Sequence, residues 1–308
     1  MAVLLLCGCG QKSETTAAAP AQAVTAPAAQ SGMARPVNTG VTPEQFGAKG
    51  DGIADDLQAL QAAMQQASAS GRPLELTAGA VYRFSSCLGL PSGLTIRGNG
   101  AVLLSDIQYP DLREDRVAVE LMKDSDDDRA HDVRLENVTF RAADSCQANY
   151  MLRVMLARNV EFVGCTFDCE PNEWGRCAAD LYGGNENIRF EGCVFRQMTS
   201  GASGGIWVRN WTDRVESRNI RFQNCEFYKS GADELLAVWG WGGAVRDVVL
   251  SGCSFYETQT QEGLDAGHRP VWFITLGQSG TTDVRMEDCT VRAEHCETIF
   301  RMVRSEER

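Results

Sequence analysis

The chain has 308 residues, 44% of them hydrophobic, which is enough to bury a sizeable core. Its formal net charge of −12 and pI near 4.8 exclude a broadly basic surface, and with it the ordinary nucleic-acid or anionic-membrane binder. The same charge repels a polyanionic sugar chain unless a metal ion or local arginines intervene.

The chain opens on a short apolar run, Met1 to Gly10, that ends L-C-G-C-G. A tract of Ala, Pro, Thr and Gln follows to about Asn38. The L-C-G-C stretch resembles the lipobox of bacterial lipoproteins, which implies a lipid-modified cysteine, Cys9 first and Cys7 second. Residues 1–9 are therefore read as a signal segment, residues 10–40 as a linker, and residues 41–308 as one domain. No later run is long and apolar enough to span a membrane, so the only membrane contact expected is that anchor.

Residues 41–67 read V-T-P-E-Q-F-G-A-K-G-D-G-I-A-D-D-L-Q-A-L-Q-A-A-M-Q-Q-A. Leu57, Leu60, Ala63 and Met64 fall at helical spacing, and Asp55 or Asp56 suits the first turn as a cap. Gly47, Gly50 and Gly52 bracket Asp51 in a tight turn.

From Asp132 onward one nine-residue phrase recurs. Asn187 to Phe195 reads N-I-R-F-E-G-C-V-F, and variants begin at Asp132, Asn159, Asn219, Asp247 and Asp283. Repeats of this period signal a stacked solenoid. Within a phrase Ile188 and Phe190 point inward at strand spacing, Glu191 and Gly192 turn the chain, and Cys193 and Phe195 resume the inward direction. A third strand precedes each phrase, over Met151 to Leu156, Ala179 to Tyr182, Ile206 to Trp211, Leu235 to Trp241, and Val271 to Leu276. The Asn or Asp that opens each phrase stacks at a turn and trades side-chain hydrogen bonds along the column. Five of the 12 cysteines, Cys165, Cys193, Cys225, Cys253 and Cys289, share one slot and form an inward column rather than a metal site. Cys169 and Cys177 share one loop and are placed for a loop-closing disulfide in an exported protein. The run K-D-S-D-D-D-R after Met122 lacks the glycine and distal glutamate of a calcium loop and reads as a solvated turn.

F-G-A-K-G-D-G, the following D-D pair and the Q-A-A-rich helix resemble the N-terminal signature of the pectate-lyase superfamily, which includes polygalacturonase-type hydrolases, rhamnogalacturonases and phage tailspikes. P-L-E-L-T-A-G-A-V-Y-R-F, residues 73–84, extends the resemblance into a first coil. It implies an all-β, single-stranded right-handed parallel β-helix with three strands per coil and an N-terminal capping α-helix. Asp51, Asp55 and Asp56 are then architecture, and the sugar groove runs along the outer face of the third strands.

Alternate residues of those strands give an outward stripe: Arg153, Met155, Asp180, Tyr182, Trp207, Arg209, Trp211, Trp239, Trp241 and Trp272. It holds five of the six tryptophans, and Tyr182 with these five is the expected substrate-binding set. Hydrolysis asks for two carboxylates, roughly 6.5 to 9.5 Å apart for inversion. Asp180, Asp233 and Glu234 are the first candidates, with Asp265 also near the stripe. β-Elimination asks instead for a base and a neutraliser of a uronate carboxyl. Arg209, Lys229, His268 and Arg269 answer to that, and Ca²⁺ is the one cofactor this reading would call on. The polygalacturonase motifs N-T-D, D-D, G-H-G and R-I-K are missing as such, and G-H-R at Gly267 to Arg269 is the nearest echo. The expectation is an exported, periplasmic or outer-membrane-anchored bacterial protein that binds a polysaccharide and depolymerises it by lysis or hydrolysis. The alternative is a non-catalytic surface protein that holds a glycan or another protein on the same stripe.

Overall fold

A computed structural model describes residues 40–108, 116–123, 128–169, 177–198, 205–210, 215–229, 234–240, 242–258, 260–265, 271–277 and 280–303. They form three parallel sheets of nine, eight and eight strands, in which each strand pairs with its counterparts one coil before and one coil after. This is a right-handed parallel β-helix, as expected. Sheet A holds the first half of each phrase, sheet B the second half, and sheet C the preceding strand.

Equivalent phrase positions stack directly. Ile188 pairs with Val160 and Ile220, and Phe190 with Phe162 and Phe222. The phenylalanines form two internal columns with centroids one coil apart: Phe162, Phe190 and Phe222 at 4.8 and 5.0 Å, and Phe140, Phe167, Phe195, Phe227 and Phe255 at 4.8–5.0 Å. Parallel in-register strands leave such rings stacked, adding roughly 0.5–1.5 kcal/mol per pair beyond burial.

Two positions in each phrase adopt left-handed backbone. The opening Asn or Asp does so in all six phrases, with φ of 54–58°, and so does the sixth residue, as in Asn137, Gly164, Gly192, Asn224, Gly252 and Asp288. Only Gly, Asn and Asp enter this region cheaply, which is why the phrase varies among those three there. The opening residues build the expected ladder. Asn159 Nδ2 donates to Asp132 Oδ1 at 2.9 Å, Asn187 to Asn159 at 2.9 Å, and Asn219 to Asn187 at 2.6 Å. Asp247 has no amide to continue it, and Arg221 and Arg285 bind its carboxylate instead.

The cysteine column faces inward, each thiol donating to a carbonyl of the coil before, as Cys193 does to Phe162 O at 3.3 Å. No disulfide joins the described cysteines, buried Cys169 and Cys177 included. This corrects the disulfide expectation: the Cys177 thiol is turned to the carbonyl oxygens of Ala179 and Gly205.

The helix spans Leu57–Ser70 and buries Leu60, Ala63, Met64 and Ala67 against the first coil. Asp56 occupies the cap position but makes no cap bond. Its two oxygens accept the backbone N–H groups of Lys49 and Gly50 at 2.7 and 3.0 Å, so it fastens the glycine loop. The first-turn bond comes from Asp55, whose Oδ1 accepts from Leu57 N. No helix among the described residues is long and apolar enough to cross a membrane.

Candidate functional site

The outer face of sheet C is set by register. Glu120, Arg153, Asp180, Trp207, Ala237 and Thr275 form one column, each paired with the next. Two residues further along the strands, Met122 pairs with Met155 and Arg209 with Trp239, while a register shift sets Met155 against Gly183 and leaves Tyr182 out of the ladder. Strict alternation, expected from the sequence, breaks near the strand starts. Met151 and Leu152 both join the core, as do Ala178 and Ala179. Val117, Tyr150 and Cys177 are thereby set apart as a second apolar cluster, with Cys87 and Trp207 packed against it.

Asp180 sits at the centre of this face and is fully buried. Arg209 reaches it through two bonds, Nε to Oδ1 and Nη2 to Oδ2, both 2.7 Å, and Arg153 Nε donates to Oδ2 at 3.1 Å. Both guanidiniums lie over aromatic rings. Arg153 Cζ is 4.5 Å from the Tyr150 centroid and 5.1 Å from that of Tyr182, and Arg209 Cζ is 4.8 Å from Tyr182 and 4.2 Å from Trp207. Tyr150 meets Trp207 edge-on, at 6.4 Å and 65°. Burial works against the charge on Arg209, but the hydrogen bonds and charge of Asp180 outweigh it and raise its pKa. Burial pushes the Tyr150 hydroxyl up as well.

This placement alters the expected role of Asp180. A free acid or base needs an unoccupied oxygen facing the reacting bond. Here both oxygens accept from guanidinium groups and neither is exposed, so the carboxylate orients arginines. Trp239 is likewise nearly buried rather than open to solvent, whereas Tyr182 and Trp207 are half-buried and reachable. The indole N–H of Trp207 meets no hydrogen-bond acceptor among the described residues. Glu234 opens the strand Glu234–Gly240, buried, and its register partner is Trp272, which is placed by its backbone alone. Lys229 is fully buried at the end of a sheet B strand, away from the outer stripe, and Asp265 ends the short helix Gln261–Asp265. Cys7, Cys9, Trp211, Asp233, Trp241, His268 and Arg269 lie outside the described residues. Among the described residues no cluster of three metal-ligating side chains occurs.

Arg153 and Tyr150 were not singled out as site residues by sequence reasoning. Arg153 was within reach, since it lies 27 residues before Asp180 at the same place in the repeat. Tyr150 was not, because two consecutive inward residues separate it from Arg153.

Residues 41–265 match the family described as Rhamnogalacturonase A/epimerase, pectate lyase-like. Among solved structures, PfbA, a surface adhesin of Streptococcus pneumoniae, aligns with a TM-score of 0.54 at 15% identity, over 88% of this chain and 80% of that one. The N-terminal fragment of gene product 12 of bacteriophage phi29 aligns with a TM-score of 0.54 at 17% identity, over 86% of this chain and 43% of that one. At these identities the likeness concerns the fold. No curated protein sequence matches the chain. The family match spans well over half of the 308 residues and agrees with the coil architecture, so the chain belongs to the Rhamnogalacturonase A/epimerase, pectate lyase-like family.

Proposed function

We propose that the outer face of sheet C binds a polysaccharide and that the protein depolymerises it, by β-elimination or hydrolysis. The observation that carries this reading is the layer formed by Arg153, Asp180 and Arg209 beneath the rings of Tyr150, Tyr182 and Trp207. A sugar ring needs a flat apolar face to stack on and fixed polar groups at its rim, and the half-buried rings of Tyr182 and Trp207 beside oriented guanidiniums supply both. Trp211, Trp241 and Trp272 are proposed as further sugar contacts, and nearly buried Trp239 as their support. In this reading Asp180 positions Arg209, and the chemistry falls to Arg209, Glu234 and the loop residues Asp233, His268 and Arg269. Export, with Cys9 as lipid anchor, belongs to the same proposal.

A second reading, glycan or protein adhesion without turnover, is favoured by one observation. Among the described carboxylates of this face, Asp180 is committed to two arginines and Glu234 is buried at a strand start, which leaves half-buried Glu120. Incubating the purified protein with pectins, alginates and glycosaminoglycans separates the two, with product absorbance reporting elimination and reducing ends reporting hydrolysis. Turnover on one polymer, lost in Arg209→Ala, is the expected result. Binding that is sensitive to Trp207→Ala but comes with no product from any polymer would leave adhesion as the function.

A further inference from the structure

Resting on the depolymerisation reading, we infer that Glu120 is the residue that takes the proton from a uronate unit in β-elimination, beside the layer of Arg153, Asp180 and Arg209. Glu120 stands in the outward column of sheet C that continues through Arg153 to Asp180. It is half-buried, whereas Asp180 is fully buried and Glu234 is 4% exposed.

The surroundings of Glu120 leave its carboxylate available. Arg153 is its register partner on the next coil, roughly 4.8 Å along the stack, yet turns its guanidinium to Asp180 at 3.0 and 3.1 Å. Among the described residues no ion pair reaches Glu120. The coil before places Gly89 opposite it, so no side chain stacks on it from that position. Its strand is paired along both edges, to Leu88–Gly89 and to Tyr150–Met155, which fixes the backbone from which the carboxylate projects. Cys87 is the other candidate base at this end of the face. Burial, and then the charge of Glu120, push its thiol up to about 12, so it stays neutral and the carboxylate is the base.

Charge selects the substrate. Two guanidiniums and one carboxylate give the layer next to Glu120 one net positive charge, within a chain of net charge −12. A uronate carboxylate is drawn to that layer, and a neutral sugar is not. The number of carboxylates selects the reaction. Hydrolysis asks for two, and Asp180 has both oxygens taken. Elimination closes on one. The C–H beside the uronate carboxyl gives its proton to a Glu120 oxygen, its electron pair becomes the new C=C bond, and the C–O bond to the neighbouring sugar breaks. Glu120 then passes the same proton to the departing oxygen and is a carboxylate again, so no water or other reactant is consumed. Charge that builds on the uronate carboxyl during the step is met by the positive layer.

The test uses the full chain with de-esterified polygalacturonate, alginate and hyaluronan, each also with its carboxyls reduced to alcohols. The wild type should release ultraviolet-absorbing unsaturated ends from one native polymer and none from its reduced form. Glu120→Gln keeps the size of the side chain and removes the base, so kcat should fall roughly 10²–10⁴-fold while affinity electrophoresis shows unchanged binding. Added formate should restore part of the rate to Glu120→Ala, which it would not do for a structural residue, and thermal melts confirm that both variants fold. Undiminished kcat in Glu120→Gln overturns the inference and leaves the enzyme reading standing. Reducing ends without absorbance do the same. A folded Glu120→Gln that no longer binds polymer makes Glu120 a binding residue and overturns its proton-transfer role. No product from any of the three native polymers overturns the inference, and no product from the wider panel of polysaccharides overturns depolymerisation itself.

Discussion

Replacing Asp180 by alanine is the sharpest test of the site, because the structure predicts a stability effect and a binding effect that a further variant can separate. Asp180 is fully buried and accepts three guanidinium hydrogen bonds of 2.7, 2.7 and 3.1 Å. Arg153 and Arg209 are themselves 7% and 9% exposed. Removing the carboxylate leaves two nearly desolvated cations facing each other. Breaking such a buried ion pair destabilises by about 3–5 kcal/mol. Urea unfolding should therefore show a lower midpoint with an unchanged slope, and amide exchange should rise in the strands Cys177–Gly183 and Ile206–Asn210. A buried triad of this kind is often replaceable by apolar side chains of similar volume at little loss. The triple change Arg153→Met, Asp180→Leu and Arg209→Met should recover stability to within about 1 kcal/mol of wild type and still fail to bind polysaccharide. An Asp180→Ala protein within about 1 kcal/mol of wild type would show that the pair is not desolvated. A triple variant that binds as the wild type does would show that the arginines take no part in binding.

Other predictions concern the scaffold. A Cβ at Gly164 would lie 2.5 Å from Asn137 Oδ1, whereas at Gly192, with nearly the same φ, it would meet nothing within 4 Å. Gly192→Ala should lose about 1–2 kcal/mol to left-handed strain alone, Gly164→Ala more, and Asn137→Gly should relieve only the Gly164 variant, all read by chemical denaturation. Asn187→Ala and Asn187→Gly both remove two ladder hydrogen bonds, but alanine also strains at φ 58°, so it should be the worse by about 1 kcal/mol. In native alkylation followed by mass spectrometry, half-buried Cys296 should label well before Cys165, Cys193 and Cys225, and faster as pH rises, since burial holds its pKa up. Labelling of Cys165, Cys193 or Cys225 in the folded state would contradict the inward geometry. Burial opposes ionisation of Asp247, but Arg221 and Arg285 outweigh it and hold its carboxyl below the usual range. Its stabilising contribution should be complete above the unfolded carboxylate value of roughly 3.9 and fade as pH falls through the lower folded value. Asp247→Asn should flatten stability against pH over that window.

The phrase beginning at Asn187 made the coil legible because each of its constraints is local. Ile188, Phe190, Cys193 and Phe195 face inward by strand periodicity, and the Asn and Gly positions declare left-handed backbone. A chain that repeats such a unit can bury it only by stacking copies, so the solenoid and its in-register phenylalanine and asparagine columns follow from the sequence alone. The strand before the phrase was legible only in part. Its outward direction could be read at Arg153, Asp180 and Trp207, yet the paired inward residues Met151 with Leu152 and Ala178 with Ala179 break the alternation and carry Tyr150 and Cys177 to the outer face. The cap followed the same pattern, with Asp56 turned from the helix to the N–H groups of Lys49 and Gly50.

By itself, then, the sequence determined the repeat, its register and the set of side chains that could face outward, since these depend on neighbours within nine residues. The tertiary structure decided what those side chains do. Asp180 is written as an outward carboxylate, and only the stacking of three coils brings Arg153 from one side and Arg209 from the other to occupy both its oxygens. Partners 27 and 29 residues away set its charge environment, and no local pattern encodes a contact that exists only once the coils are laid on one another.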